Sequence, residues 1–89
     1  MQIREIEITN RQGLHARACA RIVQVASRFR CSVRLVSGVR RASASSIVAM
    51  MLLSAAFGTT VRVETEGPDE AAAMSAIVSL LNDEPELRS

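Results

Sequence analysis

The sequence contains no tryptophan, no tyrosine and no lysine. With Phe29 and Phe57 as its only aromatic residues, it lacks the stacking platforms on which single-strand and RNA-binding proteins hold bases. Cysteine is confined to Cys19 and Cys31, twelve positions apart, and histidine to His15. That set draws neither a zinc site nor a CxxC redox pair, so no metal and no cofactor are expected. A reducing compartment favours two buried thiols, although the spacing alone also admits a disulfide. Gly13, Gly38, Gly58 and Gly67 stand singly, which leaves no glycine-rich loop to cradle a nucleotide. The acids concentrate in the last third of the chain, and nothing places one behind His15 to complete a Ser/His/acid set. No apolar run approaches the roughly 18 to 20 residues of a membrane span. The start, Met1-Gln2-Ile3-Arg4-Glu5, alternates charge with apolar residues where a signal peptide needs an unbroken apolar stretch. The expected address is the cytoplasm, with no membrane insertion.

What is present is a chain of 89 residues, 48% hydrophobic and 22% charged, enough for one soluble globular domain and too short for two. A single domain over residues 1–84 with a short tail at 85–89 is expected. Such a chain buries only about 60 to 65% of the surface its unfolded form exposes, so its core must be economical. The formal charge of +2 conceals a division: ten Arg stand against Glu5 and Glu7 up to residue 62, and Arg88 stands against seven acids thereafter. A basic front half suits nucleic acid or acidic partners. An all-Arg cation set beside thirteen Ala reads, however, as the coding bias of a G+C-rich genome, and nucleic acid is not expected as a partner.

Periodicity organises the chain. Ile6 and Ile8 alternate with Glu5 and Glu7 as a half-buried strand over residues 2–8, with Ile3 out of phase. From Ala16 the period changes: Arg17, Arg21, Gln24 and Arg28 form a polar stripe opposite Cys19, Ile22, Val23 and Ala26, a helix ending near Ser27. Cys31, Val33 and Leu35 mark a second strand, Gly38 a turn, and Arg40 to Ala44 a weaker third strand. Residues 46–57 read as a helix capped by Ser45 or Ser46 and stopped before Gly58. Val61, Val63 and Thr65 alternate with Arg62, Glu64 and Glu66 as a fourth strand. Gly67-Pro68-Asp69 opens a last helix with Ala73, Met74, Ile77, Leu80 and Leu81 inward, ended by Pro85. The order βαββαβα, with hairpin-like connections expected to dominate, implies an α+β fold: a four-stranded antiparallel sheet with three helices on one face.

Two places carry chemistry. Gly13-Leu14-His15-Ala16-Arg17 lies where the first loop enters the first helix, whose first-turn N–H groups and partial positive charge suit an anion. A neutral imidazole is a nucleophile towards phosphorus, and Arg17 offers a planar set of donors to phosphate oxygens. The same spacing also fits an exposed loop histidine beside an unrelated arginine. The second place is the helix from Ser46, which has almost no polar stripe. So small a domain cannot surround it, and an exposed apolar patch marks a partner site. The i, i+4 pair Ile47 and Met51, flanked by Val48, is expected to be exposed, with Met50 and Leu53 turned to the core. Taken alone, the run Met50-Met51-Leu52-Leu53 also reads as core.

Gly13-Leu14-His15-Ala16-Arg17, then Ser46-Ile47 opening a Met-rich short helix, Gly58, a strand and Gly67-Pro68-Asp69-Glu70, resembles the HPr family of phosphocarriers of the bacterial phosphotransferase system, from about Glu5 to Leu81. The resemblance implies an HPr-like open-faced sandwich. It also implies a carrier, not an enzyme, that takes a phosphoryl group from phosphorylated enzyme I onto Nδ1 of His15, assisted by Arg17. The recipient is a histidine of an enzyme IIA domain. Ile47, Val48 and Met51 then become the docking face, and a monomer is expected. Ser46 matches the serine that HPr kinase phosphorylates in many members, while the residue pattern itself makes it a helix N-cap. Ala18 stands where most members have Pro, and Ala49 and Ser54 replace glycines common in sugar-branch carriers. Glu7-Ile8-Thr9-Asn10 and Ile47-Val48-Ala49 are similar to NPr, the nitrogen-branch carrier. Both branches stay open, as does, more remotely, a small nucleic-acid or ligand-binding regulatory domain.

Overall fold

The structure, a computed structural model, describes residues 1–9, 11–53, 55–56 and 58–82. The elements run β1 Gln2–Glu7, α1 Ala16–Ala26, β2 Ser32–Ser37, β3 Arg40–Ser43, α2 Ile47–Met51, β4 Thr60–Glu66 and α3 Glu70–Asn82. Their order is the expected βαββαβα. The expected stop at Pro85 and the tail at 85–89 lie outside the described residues.

All strand pairs are antiparallel, in the spatial order β1-β4-β2-β3. Only β2 and β3, joined across Gly38 at φ +61°, form a hairpin of consecutive strands, so hairpin-like connections do not dominate as expected. The reason lies in burial. β4 has the most completely buried inner row, Val61, Val63 and Thr65, each without exposed surface, and such a strand belongs between neighbours. The edge strands carry charge on the same face: Arg4 of β1 is opposite Val63, and Arg40 lies two residues from buried Ala42 on β3. Charges at the edges discourage further pairing.

The three helices cover one face of the sheet and close a single core. Ile6, Ile8, Val33, Leu35, Val61 and Val63 meet Cys19 and Ile22 of α1, Met50 of α2, and Ala73, Met74, Ile77 and Leu81 of α3. Each fully buried Val, Ile or Leu contributes about 1.5–3 kcal/mol. Thr65 is the one polar member among the described residues, and its Oγ1 donates to the Glu70 carbonyl at 2.9 Å. Cys19 is buried and Cys31 only half-buried, both as free thiols. The expectation of two buried thiols therefore holds in full for Cys19 alone, because Cys31 lies just before β2 at the rim of the core, where it packs but keeps part of its surface exposed. Burial pushes the Cys31 thiol pKa up, and the charges of Asp69 and Glu70 add to it.

The helix expected over residues 46–57 is the main departure. It spans only Ile47–Met51. After Met51 the chain tightens, with Leu53 N–H donating to Met50 C=O at 3.1 Å, and by Ala55 the carbonyl is turned outward to receive Leu14 N–H. A helix continued through Ala55 would point this carbonyl along its own axis, away from the Leu14 N–H. The cap is Ser46, whose Oγ accepts from Ala49 N–H at 3.1 Å; Ser45 Oγ is engaged with Ser43 Oγ instead.

On the open face, Glu64 lies between two arginines, with Oε1 accepting from Arg34 Nε at 3.0 Å and Oε2 from Arg62 Nε at 2.9 Å. Desolvation alone would raise its pKa, but the hydrogen bonds and charges of Arg34 and Arg62 together outweigh it and hold the carboxyl below the usual range. Glu70 is lowered too, by the Gly67 N–H that it accepts at 3.1 Å and by the Met1 ammonium at 3.0 Å. A carboxylate with a lowered folded pKa stabilises the fold above the ordinary glutamate value of about 4.3, and that stability is lost as pH falls through the folded value. Thermal unfolding followed from neutral to acid pH is therefore expected to show a steep acid limb. Glu64→Gln and Glu70→Gln should each lower stability at pH 7 and flatten that limb; an unaltered limb would show that neither charge contributes.

Candidate functional site

The site is built where β1 hands the chain to α1. Ile8 extends the strand by two bonds to the segment before β4, donating to Thr59 C=O and accepting from Gly58 N–H, each at 2.8 Å. The chain then reverses at Gly13, φ +68°, a conformation that L side chains rarely adopt. A β-carbon there would collide with the Ala55 carbonyl oxygen and would lie 3.0 Å from Ala56 Cα. Glycine is thus required for both dihedral and space. Leu14, 8% exposed, enters the core, and its N–H donates to Ala55 C=O at 3.0 Å. Anchored on both sides of the peptide, the turn delivers His15 to the first position before the helix.

His15 is the N-cap residue of α1, extended at φ −92° and ψ 176°, and its carbonyl accepts from Cys19 N–H at 2.9 Å. Its side chain makes no capping hydrogen bond. The first-turn N–H groups are therefore left uncapped by the residue that usually satisfies them, and no acid occupies that turn. The imidazole Nε2 is sealed from solvent without a hydrogen-bond partner among the described residues. Nδ1 does not share that condition. Arg17, one turn-position on and exposed, opens the polar stripe of an eleven-residue helix. A positive dipole end with uncapped N–H groups, the imidazole and an exposed arginine share one helix start.

The other candidate residues lie on α2, which packs against α1. Ile47, Val48 and Met51 are 37%, 66% and 42% exposed, while Met50 and Leu53 are 0% and 4% exposed. Ser46 is half-buried at the N-cap, on a different helix start from His15 and Arg17. Two neighbours escaped sequence reasoning. Leu52 is 63% exposed, a feature that its i, i+4 relation to Val48 signals. Arg40 reaches from β3 to donate from Nη1 to the Leu52 carbonyl at 2.9 Å, a contact no local pattern announces. Among the described residues no three His, Cys, Asp or Glu converge as metal ligands.

The profile of the PTS HPr component phosphorylation site matches residues 3–83. The chain belongs to the HPr phosphocarrier family. It is 44% identical over 78 residues to the phosphocarrier protein HPr of Cupriavidus necator, covering 88% of each chain. Over 80 residues it is 44% identical to that of Pseudomonas aeruginosa, covering 89% of each. The crystal structure of HPr-C-His from Thermoanaerobacter tengcongensis superposes with a TM-score of 0.87 at 38% identity, covering 92% of each chain. The HPr open-faced sandwich is thus the fold of this chain, and its phosphotransferase-system membership is shared with these relatives.

Because Gly13 serves both dihedral and space, Gly13→Ala is expected to cost about 1–3 kcal/mol, the range for a non-glycine residue forced into a left-handed conformation. Chemical denaturation measures it. Hydrogen exchange at the Leu14 amide should accelerate in parallel, and full protection there would show that the turn accommodates a β-carbon.

Proposed function

We propose that this HPr-family chain accepts a phosphoryl group from phosphorylated enzyme I on Nδ1 of His15 and passes it to a histidine of an enzyme IIA domain. The observation that carries the reading is the imidazole at the uncapped head of α1 with Nε2 buried, so that Nδ1 is the nitrogen assigned to the phosphoryl group. In the forward step the Nδ1 lone pair attacks phosphorus in line. A new N–P bond forms as the N–P bond to the donor histidine breaks, and the electron pair returns to the donor ring. The first-turn N–H groups of α1 and the Arg17 guanidinium face the charge carried by the phosphoryl oxygens, so that the group is stabilised without being hydrolysed. The step reverses at the acceptor. The chain is in this reading a substrate of its partners and turns nothing over alone, and the cytoplasm, where phosphoenolpyruvate is available, is its place of action.

Ile47, Val48 and Met51, with Leu52 beside them, form the docking face. Methionine supplies contact that adapts to several partners of different shape. Ser46 is proposed as the point at which an HPr kinase acts: a phosphate there places negative charge at the edge of that face while remaining favourable to the helix start it caps.

Incubation with phosphoenolpyruvate and enzyme I is expected to add one acid-labile phosphoryl group, read by intact mass, and His15→Ala to abolish it. A phosphorylated His15→Ala protein would remove His15 as acceptor. Arg17→Ala should slow transfer on the order of 10²-fold, the worth of a lost transition-state donor, without loss of thermal stability. Onward transfer measured against sugar-branch and nitrogen-branch enzyme IIA domains assigns the acceptor.

Met51→Glu is expected to weaken enzyme I binding with little loss of stability, whereas Leu53→Ala should cost on the order of 2–4 kcal/mol as a cavity. Calorimetric titration beside thermal unfolding separates the two. Unchanged binding by Met51→Glu would place docking elsewhere.

A further inference from the structure

The open edge of the sheet at β1 carries a feature that phosphoryl transfer does not use. β1 pairs only with β4, so one row of its backbone N–H and C=O groups faces no neighbouring strand. In register, Gln2 is opposite Thr65, Arg4 opposite Val63 and Ile6 opposite Val61. These six residues share the helix-covered face. The three β4 side chains have no exposed surface, yet Arg4 is exposed and Gln2 half-buried. Helix α3 packs on both β4 and β1, yet leaves the Gln2 and Arg4 end of the edge strand open.

The shortfall is written in α3. Ala71, Ser75 and Ser79 lie at i, i+4 and i+8, one straight row of small side chains along the flank nearest β1. Between that row and β1 lies a groove of about 300 Å³, lined by Gln2, Arg4, Ala71, Ser75, Val78 and Ser79 among others. No described residue pairs with the Arg4 guanidinium, in contrast to Arg34 and Arg62, which share Glu64. A free strand edge beside a groove with an unpaired cation, two hydroxyls and an amide is the arrangement by which extended peptides are added to sheets. The backbone pairs along the edge, and alternate side chains drop into the groove.

We propose that this groove receives an extended acidic segment of a partner protein, seated as a fifth strand against β1 with a carboxylate on Arg4. On the helix-covered face, charge opposes a second copy of this chain as the occupant. Strand pairing brings residues of like face together, and on the helix-covered face β1 offers Gln2, Arg4 and Ile6; Glu5 and Glu7 are on the opposite face. The other edge strand, β3, offers Arg40 and Ala42. Neither supplies a carboxylate, and both bring arginine towards arginine. The inward charge that blocks self-association thereby selects an acidic strand.

The test uses the full chain, labelled with ¹⁵N, and three synthetic hexapeptides. One is acetyl-Thr-Glu-Val-Glu-Val-Thr-amide, the second has Lys for both Glu, and the third has Pro for both Val, which keeps the charge and forbids strand pairing. The first is expected to shift the amides of residues 2–7 and 71–79 saturably, while the second and third do not. Arg4→Glu should weaken the acidic peptide about tenfold or more, the worth of one charge-assisted hydrogen bond, and reverse the preference towards the Lys peptide. Ser75→Leu, which fills the groove without touching the charge, should abolish binding. Phosphoryl uptake on His15 should be unaffected by either variant, so the groove and the acceptor histidine are tested separately. Equal binding of the Pro peptide, shifts confined to the arginine stripe of α1, or peptide-independent shifts that grow with protein concentration would each overturn the proposal.

Discussion

The structure turns on the junction between Gly13-Leu14 and Ala55. One peptide N–H, that of Leu14, meets one carbonyl, that of Ala55, at 3.0 Å, and the approach is possible because Gly13 has no side chain. This contact fixes the entrance of α1, the exit of the segment after α2, and the position of His15 between them. The bonds from Ile8 to Gly58 and Thr59 lie beside it and tie the same junction to the sheet. A helix start is a general anion site; what makes this one particular is that a buried leucine and a backbone bond hold the imidazole there before any partner arrives.

The same junction explains why α2 is short. A helix carried on through Ala55 would direct its carbonyl along the helix axis and away from the Leu14 N–H, leaving that buried donor without an acceptor, a cost of about 1–3 kcal/mol. Five residues suffice because neither end is left open: Ser46 Oγ caps the first turn, and Arg40 donates to the Leu52 carbonyl at the last. An isolated helix of this length is not stable in water. Here it is held by Met50 and Leu53 in the core, and its remaining apolar residues have nowhere to go but outward. The exposed patch follows from geometry, since a five-residue helix lying on the surface presents only part of its circumference to the interior.

Charge is distributed by face and by edge. On the open side, Arg34, Glu64 and Arg62 neutralise one another across adjacent strands. Among the described strand residues of the covered face, arginine appears at the two edge strands, as Arg4 and Arg40, both exposed. Arg40 is spent on α2, while Arg4 faces the groove beside α3. Thus two residues with the same position relative to the sheet have different fates, because α2 offers a carbonyl within reach of one edge and α3 offers a row of Ala and Ser to the other.

Much of this was legible in the residue pattern. Alternation identified β1, β2 and β4 with their inward rows, and the 3.6-residue period identified α1 and α3, because those side chains alone decide which face meets the core. The motif around His15 and its place before a helix were equally visible, since glycine, leucine and a helix start are local signals. The division of α2 into Met50 and Leu53 within and Ile47, Val48 and Met51 without followed from i, i+4 spacing. Tertiary structure alone decided the rest. The length of α2 and the insertion of β4 between β1 and β2 each depend on residues distant in sequence claiming a hydrogen bond or a volume. Local periodicity reports which face of a segment is apolar; it carries no record of which carbonyl another segment will need.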